Sequence, residues 1–253
     1  MLMDNHTSVY DPFAQMYNEA WVPPYCQKIL PILEQLLLKH LQKGAQILDI
    51  GCGTGQILQQ LLIKGYQVTG LDASEGMLHY ARQNAPNGKF IQTDARCFNL
   101  PLTFDAVVST NAALNHFLNL QELTQVFQNV YETLLENGLF FFDMDMEEYY
   151  QSERWQGAIV DGDVQEEYAW AFAGNYNPEN QIGQYQMTIF QLIQGEWQRS
   201  DSNWQLKAYT KEEIKSALET VGFKTINVYD AQRDFGLDSS TGTAYFLCSK
   251  CLR

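Results

Sequence analysis

Apolar positions along the chain follow two rhythms, and the change from one to the other marks the architecture. Phe13, Met16, Tyr17 and Ala20 fall three and four apart, which predicts a helix over residues 10–21 that Pro23 and Pro24 are expected to break. Ile29, Ile32, Leu33, Leu36, Leu37 and Leu41 form a broad stripe on a second helix over 25–41, stopped by Gly44. Strand-like runs at 46–50, 66–71, 90–93, 104–109 and 139–144 then alternate with helical segments at 56–64, 75–84 and 120–135. Ser74 is placed to cap the second of these helices, and an Asn137-Gly138 turn precedes the last strand. Strands alternating with helices specify βαβ units and a mainly parallel sheet covered on both faces.

Beyond Glu147 the period becomes two. Residues 164–172 (VQEEYAWAF) and 185–192 (YQMTIFQL) alternate polar and apolar side chains, with turn material at 174–180 and at Gln194-Gly195. This predicts antiparallel hairpins. The α/β rhythm returns with Thr210 as a cap, a helix over 211–221 ended by Gly222, and strands at 225–229 and 244–249. The expected organisation is therefore an α/β domain made of residues 1–146 and 207–253, with 1–43 as a helical cap, interrupted by an antiparallel insertion at 147–206.

Composition narrows the partners. Of 253 residues 45% are apolar, enough for a large core, while the net charge of -14 disfavours nucleic acid, whose phosphates are held by Lys and Arg. An anionic membrane surface is disfavoured for the same reason. The longest apolar candidate, 29–41, is broken by Pro31, Glu34 and Lys39, short of the roughly 20 residues a spanning helix needs. Residues 1–10 lack a basic start followed by an apolar run, so a cytoplasmic location is expected. The odd, dispersed set of Cys26, Cys52, Cys97, Cys248 and Cys251 suits reduced thiols. Cys248 and Cys251 form a C-x-x-C without a second pair, so no metal is expected.

The chemistry concentrates where Ile47, Leu48, Asp49 and Ile50 run into Gly51, Gly53 and Gly55, with helix-compatible residues following at once. Glycine lets the backbone approach a ligand closely, and the first N–H groups of a helix lack intrahelical partners. A nucleotide-like cofactor is implied. The dinucleotide fingerprint needs a glycine at the sixth position from Gly51, where Gln56 stands, and no Gly-Lys-Ser/Thr follows to make a phosphate loop.

With the opening YDPFAQMY at 10–17, LDIGCGTG at 48–55, a strand ending in Asp72, TDA at 93–95, FDAVVS at 104–109 and YTKEEIKSALETVGF at 209–223, the chain resembles the class I S-adenosylmethionine-dependent methyltransferases over nearly its whole length. The resemblance implies a Rossmann-like fold, a doubly wound seven-stranded sheet in the order 3-2-1-4-5-7-6 with the last strand antiparallel. It also implies S-adenosylmethionine as cofactor and S-adenosylhomocysteine as product. Asp49 would hold the cationic methionine end, Gly51, Gly53 and Gly55 would let the backbone pass, and Asp72 would accept from both ribose hydroxyls. Met77, Asp94 and Ala95 would meet the adenine and Asn111 the methionine moiety; Cys52 and Ala73 complete the set. Plain alternatives stand beside these roles: Asp72 as a solvated loop carboxylate, Asp94 as a turn former, Met77 as core.

A sulfonium donor needs no protein nucleophile, only alignment, exclusion of water and a place for a proton. Candidates for acceptor work are His116 as a base and Tyr10 and Tyr17 on a segment that folds over the cofactor in similar enzymes, against structural packing of the same rings. The insertion is rich in aromatics and carries Asp161, Asp163, Glu166 and Glu167, which suits an amine or another cation as acceptor. The expected function is methylation of a small molecule at nitrogen or oxygen, by a monomer or homodimer. A non-catalytic S-adenosylmethionine-binding protein and a nicotinamide-dependent oxidoreductase are the alternatives.

Overall fold

The computed structural model describes residues 8–238 and 241–250. The strands are β1 (Gln46–Ile50), β2 (Gln67–Asp72), β3 (Lys89–Gln92), β4 (Phe104–Ser109), β5 (Leu134–Asp145), β6 (Gln156–Val164), β7 (Tyr168–Asn177), β8 (Ile182–Ile193), β9 (Glu196–Lys207), β10 (Lys224–Asp230) and β11 (Thr243–Ser249). The longer helices are α1 (Val22–Leu36), α2 (Gln56–Ile63), α3 (Glu75–Asn84), α4 (Leu120–Thr133) and α5 (Lys211–Val221). The main sheet runs β3-β2-β1-β4-β5-β11-β10, with β1 to β5 parallel and β11 antiparallel to both its neighbours. A second, antiparallel sheet has the order β6-β7-β8-β9.

Burial explains the sequence of β5. Phe140, Phe141 and Phe142 are consecutive and all fully buried, which needs cover on both faces of the sheet. Phe140 and Phe142 pack with Phe127 of α4 and Leu218 of α5, whereas Phe141 packs with Leu33 of α1 and Leu61 of α2. Thr210 starts α5 with a reciprocal capping box to Glu213, and Gly222 ends it at φ 117°.

Four expectations change. Pro23 and Pro24 do not end the first helix, because they occupy the opening turn of α1, where no N–H is required of them. The segment from Tyr17 to Trp21 is a π turn that runs directly into α1. Strand β5 starts at Leu134, and Asn137, at φ 62°, sits in a bulge where the pairing with β4 shifts from Phe104–Leu134 to Ala106–Leu139. The run 164–172 is two strands, since Gln165 N–H donates to Tyr168 O at 2.8 Å and closes a turn around Glu166 and Glu167. The turn placed at 174–180 begins later, after β7 ends at Asn177. Cys248 is buried and its thiol donates to Phe140 O at 3.7 Å; Cys251 lies outside the described residues.

Gly55 caps α2 at φ 73°, and a Cβ there would stand 2.9 Å from the Ala81 Cβ and 3.0 Å from its Cα. This is how α2 and α3 come together beside the glycine turn. Gly55→Ala is expected to cost about 2–4 kcal/mol in denaturant titration, left-handed strain plus overpacking. A loss below about 1 kcal/mol would show that the close approach is absent.

Candidate functional site

The glycine turn follows β1 and is shaped by backbone donors. Gly51 and Gly53 lie at φ 69° and 53°, and Gly51 and Cys52 both donate to Leu71 O, at 2.7 and 3.0 Å. Gly53 N–H donates to Asp72 Oδ2 at 2.8 Å, and Ser74 N–H to Asp72 Oδ1 at 2.9 Å. Each carboxylate oxygen keeps a further lone pair, so Asp72 suits two adjacent hydroxyls. Burial pushes its pKa up, opposed by the N–H groups of Ser74 and Gly53. Asp72 lines a cavity of about 420 Å³ together with Gly51, Gly53, Ala73, Met77 and Ala95.

Asp49 is sealed from solvent on β1, and neither of its carboxylate oxygens has a hydrogen-bond partner. Burial, then the charge of Asp72, push its pKa up to about 7. An unpartnered buried carboxylate is a demand for a cation or a donor. Asp94 lies on the cavity wall, but its carboxylate is gripped by the Arg96 guanidinium at 2.6–3.1 Å, which holds its pKa below the usual range. Asp49, Cys52 and Gly55 are off the wall. The Cys52 sulfur fills the space beside Gly70, where a Cβ would come within 2.7 Å.

The N-terminal segment roofs the cavity and is tied down at several points. Asp11 Oδ1 accepts from Ser74 Oγ at 2.5 Å and Gly76 N–H at 3.0 Å, at the start of α3. Asn18 accepts from Gln56 of α2 and Asn84 of α3. The Tyr17 ring lies 3.4 Å from where a Gly53 Cβ would be, and Asn111 Nδ2 donates to its hydroxyl at 2.7 Å. Tyr10 and His116 meet, with the hydroxyl 2.6 Å from Nε2. Burial lowers the His116 pKa to about 4 and raises that of Tyr10, so both are neutral near pH 7.

The antiparallel sheet closes the remaining side. Phe172, Tyr185, Trp204 and Leu206 line the cavity, joined there by Asp145 and Tyr149. Trp204 stacks on Phe13, centroids 5.4 Å apart, and Trp170 on Trp21 at 5.6 Å. Asp161, Asp163, Glu166 and Glu167, expected on the acceptor wall, lie elsewhere, on or beside the turn from β6 to β7. The acids at the cavity are instead Asp72, Asp94 and Asp145, and Arg96, the basic residue there, is already engaged with Asp94 and Glu122.

Sequence reasoning did not find Asp11, Tyr25, Asp143 or Asp145. Asp143 is buried and accepts from the Tyr25 hydroxyl, from Asn111 N–H at 3.1 Å and from Ala112 N–H at 2.6 Å. The available signal was an acid at the end of an otherwise apolar strand, FFFDMD. Among the described residues no cluster of His, Cys, Asp and Glu suits a metal, and no helix is long and apolar enough to cross a membrane.

Comparison with known proteins agrees with this geometry. A family profile described as a methyltransferase domain matches residues 47–138, from β1 into β5. A putative methyltransferase of Geobacillus sp. (strain WCH70) is 27% identical over 248 residues, 95% of this chain and 99% of that protein. The dTDP-3-amino-3,6-dideoxy-alpha-D-glucopyranose N,N-dimethyltransferase of Streptomyces fradiae is 32% identical over 107 residues, 42% of each chain. The crystal structure of an S-adenosylmethionine-dependent methyltransferase from Clostridium acetobutylicum superposes with a TM-score of 0.79 at 20% identity, covering 97% of this chain and 100% of that one.

Asp49 gives the site a pH signature. Its carboxyl titrates near 7 in the folded chain against 3.8 ordinarily. The folded state therefore keeps a proton that the unfolded chain has lost, and stability falls as pH rises through that interval. Calorimetry of the ligand-free protein should show the melting temperature of Asp49→Asn gaining on the parent from about pH 4 to about pH 8. A constant offset across the range would mean that Asp49 ionises normally.

Proposed function

We propose that this chain, which belongs to the class I S-adenosylmethionine-dependent methyltransferase family, methylates a small molecule seated between the N-terminal tyrosines and the antiparallel sheet. The observation that carries this reading is a single cavity with Asp72 and the glycine turn on one wall and Tyr185 and Trp204 on another. A donor pocket alone would not need the second wall.

S-adenosylmethionine fits the residues present. Asp72 offers one free lone pair per oxygen to the ribose hydroxyls. The unpartnered Asp49 carboxylate, buried beneath the cavity lining, is a partner for the cationic methionine end, and the absence of side chains at Gly51 and Gly53 lets Ala113 and the Tyr17 ring close in on the glycine turn. Met77 and Ala95 give the adenine apolar contact, with Asp94 beside them. When bound, the cofactor supplies an electrophilic methyl group on a positively charged sulfur.

The chain's own work is positioning and exclusion of water. Phe13, Tyr17 and Trp204 cover the cavity, and Tyr10 hydrogen-bonded to His116 presents its oxygen to the acceptor. Burial holds His116 neutral down to about pH 4, so the pair orients an acceptor N–H, and the proton of the methylated amine leaves with the product to solvent. Three carboxylates against one engaged arginine disfavour an anionic acceptor, and an amine drawn there attacks in its neutral form, with its lone pair free. The amino-sugar substrate named for the Streptomyces fradiae relative supports a small amine.

Two experiments test this. Asp72→Ala should weaken binding of S-adenosylmethionine by about 1.5–3 kcal/mol in titration calorimetry while far-ultraviolet dichroism stays unchanged. Equal affinity would remove Asp72 from the ribose. With an acceptor panel, methyl transfer from labelled cofactor should reach small primary or secondary amines and spare carboxylates; turnover confined to carboxylates would overturn the amine reading.

A further inference from the structure

Asn111 is held at two points by one helix. Its side chain donates to the Tyr17 hydroxyl at 2.7 Å and its backbone N–H to the Tyr25 hydroxyl at 2.7 Å. Residues eight apart on a regular α-helix point about 80° away from each other. The π turn from Tyr17 to Trp21 holds an extra residue per turn and takes most of that rotation out, which lets both hydroxyls face one residue. Asn111 and the following Ala112 are both left-handed, at φ 61° and 56°, a conformation that alanine adopts only under constraint. Asp143 supplies that constraint by accepting both backbone N–H groups, and the Tyr25 hydroxyl donates to it in turn. The turn so held abuts the cofactor side of the cavity: a Cβ on Gly51 would lie 2.9 Å from the Ala113 Cβ.

We infer that Tyr25 and Asp143 are positioning residues for cofactor binding: through Asn111 they hold the strained turn after β4, and with it Tyr17, against the glycine turn. Neither residue lines the cavity, whereas Asn111, Ala112, Ala113 and Tyr17 all do. Their influence on a ligand therefore runs through the turn. The inference concerns the cofactor wall and does not depend on which acceptor is used.

The test reads affinity for S-adenosylhomocysteine by calorimetry, with no turnover involved. Tyr25→Phe removes one hydroxyl and is expected to lower that affinity about five- to tenfold and to speed amide exchange at Asn111 and Ala112. Tyr17→Phe should give a loss of its own, and the double variant should lose less than the product of the two, because both tyrosines act on Asn111. Ala112→Gly in the Tyr25→Phe background should recover part of the affinity, since glycine takes the left-handed conformation without Cβ strain. Parental affinity in Tyr25→Phe, or independent losses without recovery by Ala112→Gly, would overturn the inference. Should Tyr25→Phe fold poorly, Asp143→Asn decides: it must lower the affinity, adding Ala112→Gly must restore part of that loss, and failure of either refutes the coupling.

Discussion

The site depends on three carboxylates at the carboxyl ends of parallel strands, Asp49 and Asp143 buried and Asp72 half-buried, where a charge is expensive unless hydrogen-bonded. Asp72, at the end of β2, is met by the N–H groups of Gly53 and Ser74, and Asp143, near the end of β5, by those of Asn111 and Ala112 and by the Tyr25 hydroxyl. In both cases the backbone curls round an acid, so the carboxylate shapes the turn as much as the turn shapes the pocket. Asp49 on β1 has no such partner, and its pKa near 7 records the deficit. Two acids are satisfied by the turns they hold, and the third has no hydrogen-bond partner within the chain.

That division was partly legible in the sequence. Glycine spacing and the strand ending in Asp72 marked a ligand-facing turn because backbone donors and a two-oxygen acceptor are local requirements. Tyr10 and His116 were legible as residue types, and the structure brings them to 2.6 Å. The grip on Asn111 was not, because its partners come from opposite ends of the domain: Tyr25 and Asp143 are 118 residues apart and Tyr17 and Asn111 are 94. Nothing in the run FFFDMD distinguishes an acid that ends a strand from one that organises a turn. The acids of the insertion show the converse, since composition reported their number but not that they lie away from the cavity.

For the fold, elements with local signatures were read to the residue. Helix α3 with its Ser74 cap and helix α5 with its capping box and terminal glycine begin and end where those signals stand. Signals that depend on a neighbour misled. Pro23 and Pro24 look like a break until the preceding π turn shows that they open a new helical turn. The Asn137-Gly138 pair reads as a hairpin-like turn, yet pairing with β4 resumes across it and leaves a bulge. Alternation in 164–172 continued through a chain reversal, because Glu166 and Glu167 preserve the polar phase while the backbone turns.

The roof has an energetic consequence for the chemistry. Phe13 and Met16 from the N-terminal segment are fully buried, and they share one apolar cluster with Met187, Ile189 and Trp204 of the antiparallel sheet. Burying an aromatic or methionine side chain contributes about 1.5–3 kcal/mol each, so the two covers stabilise one another and neither is a loose flap. Hydrogen bonds from Ser74 and Gly76 to Asp11 anchor the same segment to the start of α3, beside the turn that holds Asp72. Part of the cover over the cavity is thus a property of the resting packing. The same segment carries Tyr17 and Tyr10, so this cover is bonded through Asn111 and through His116 to the turn that follows β4.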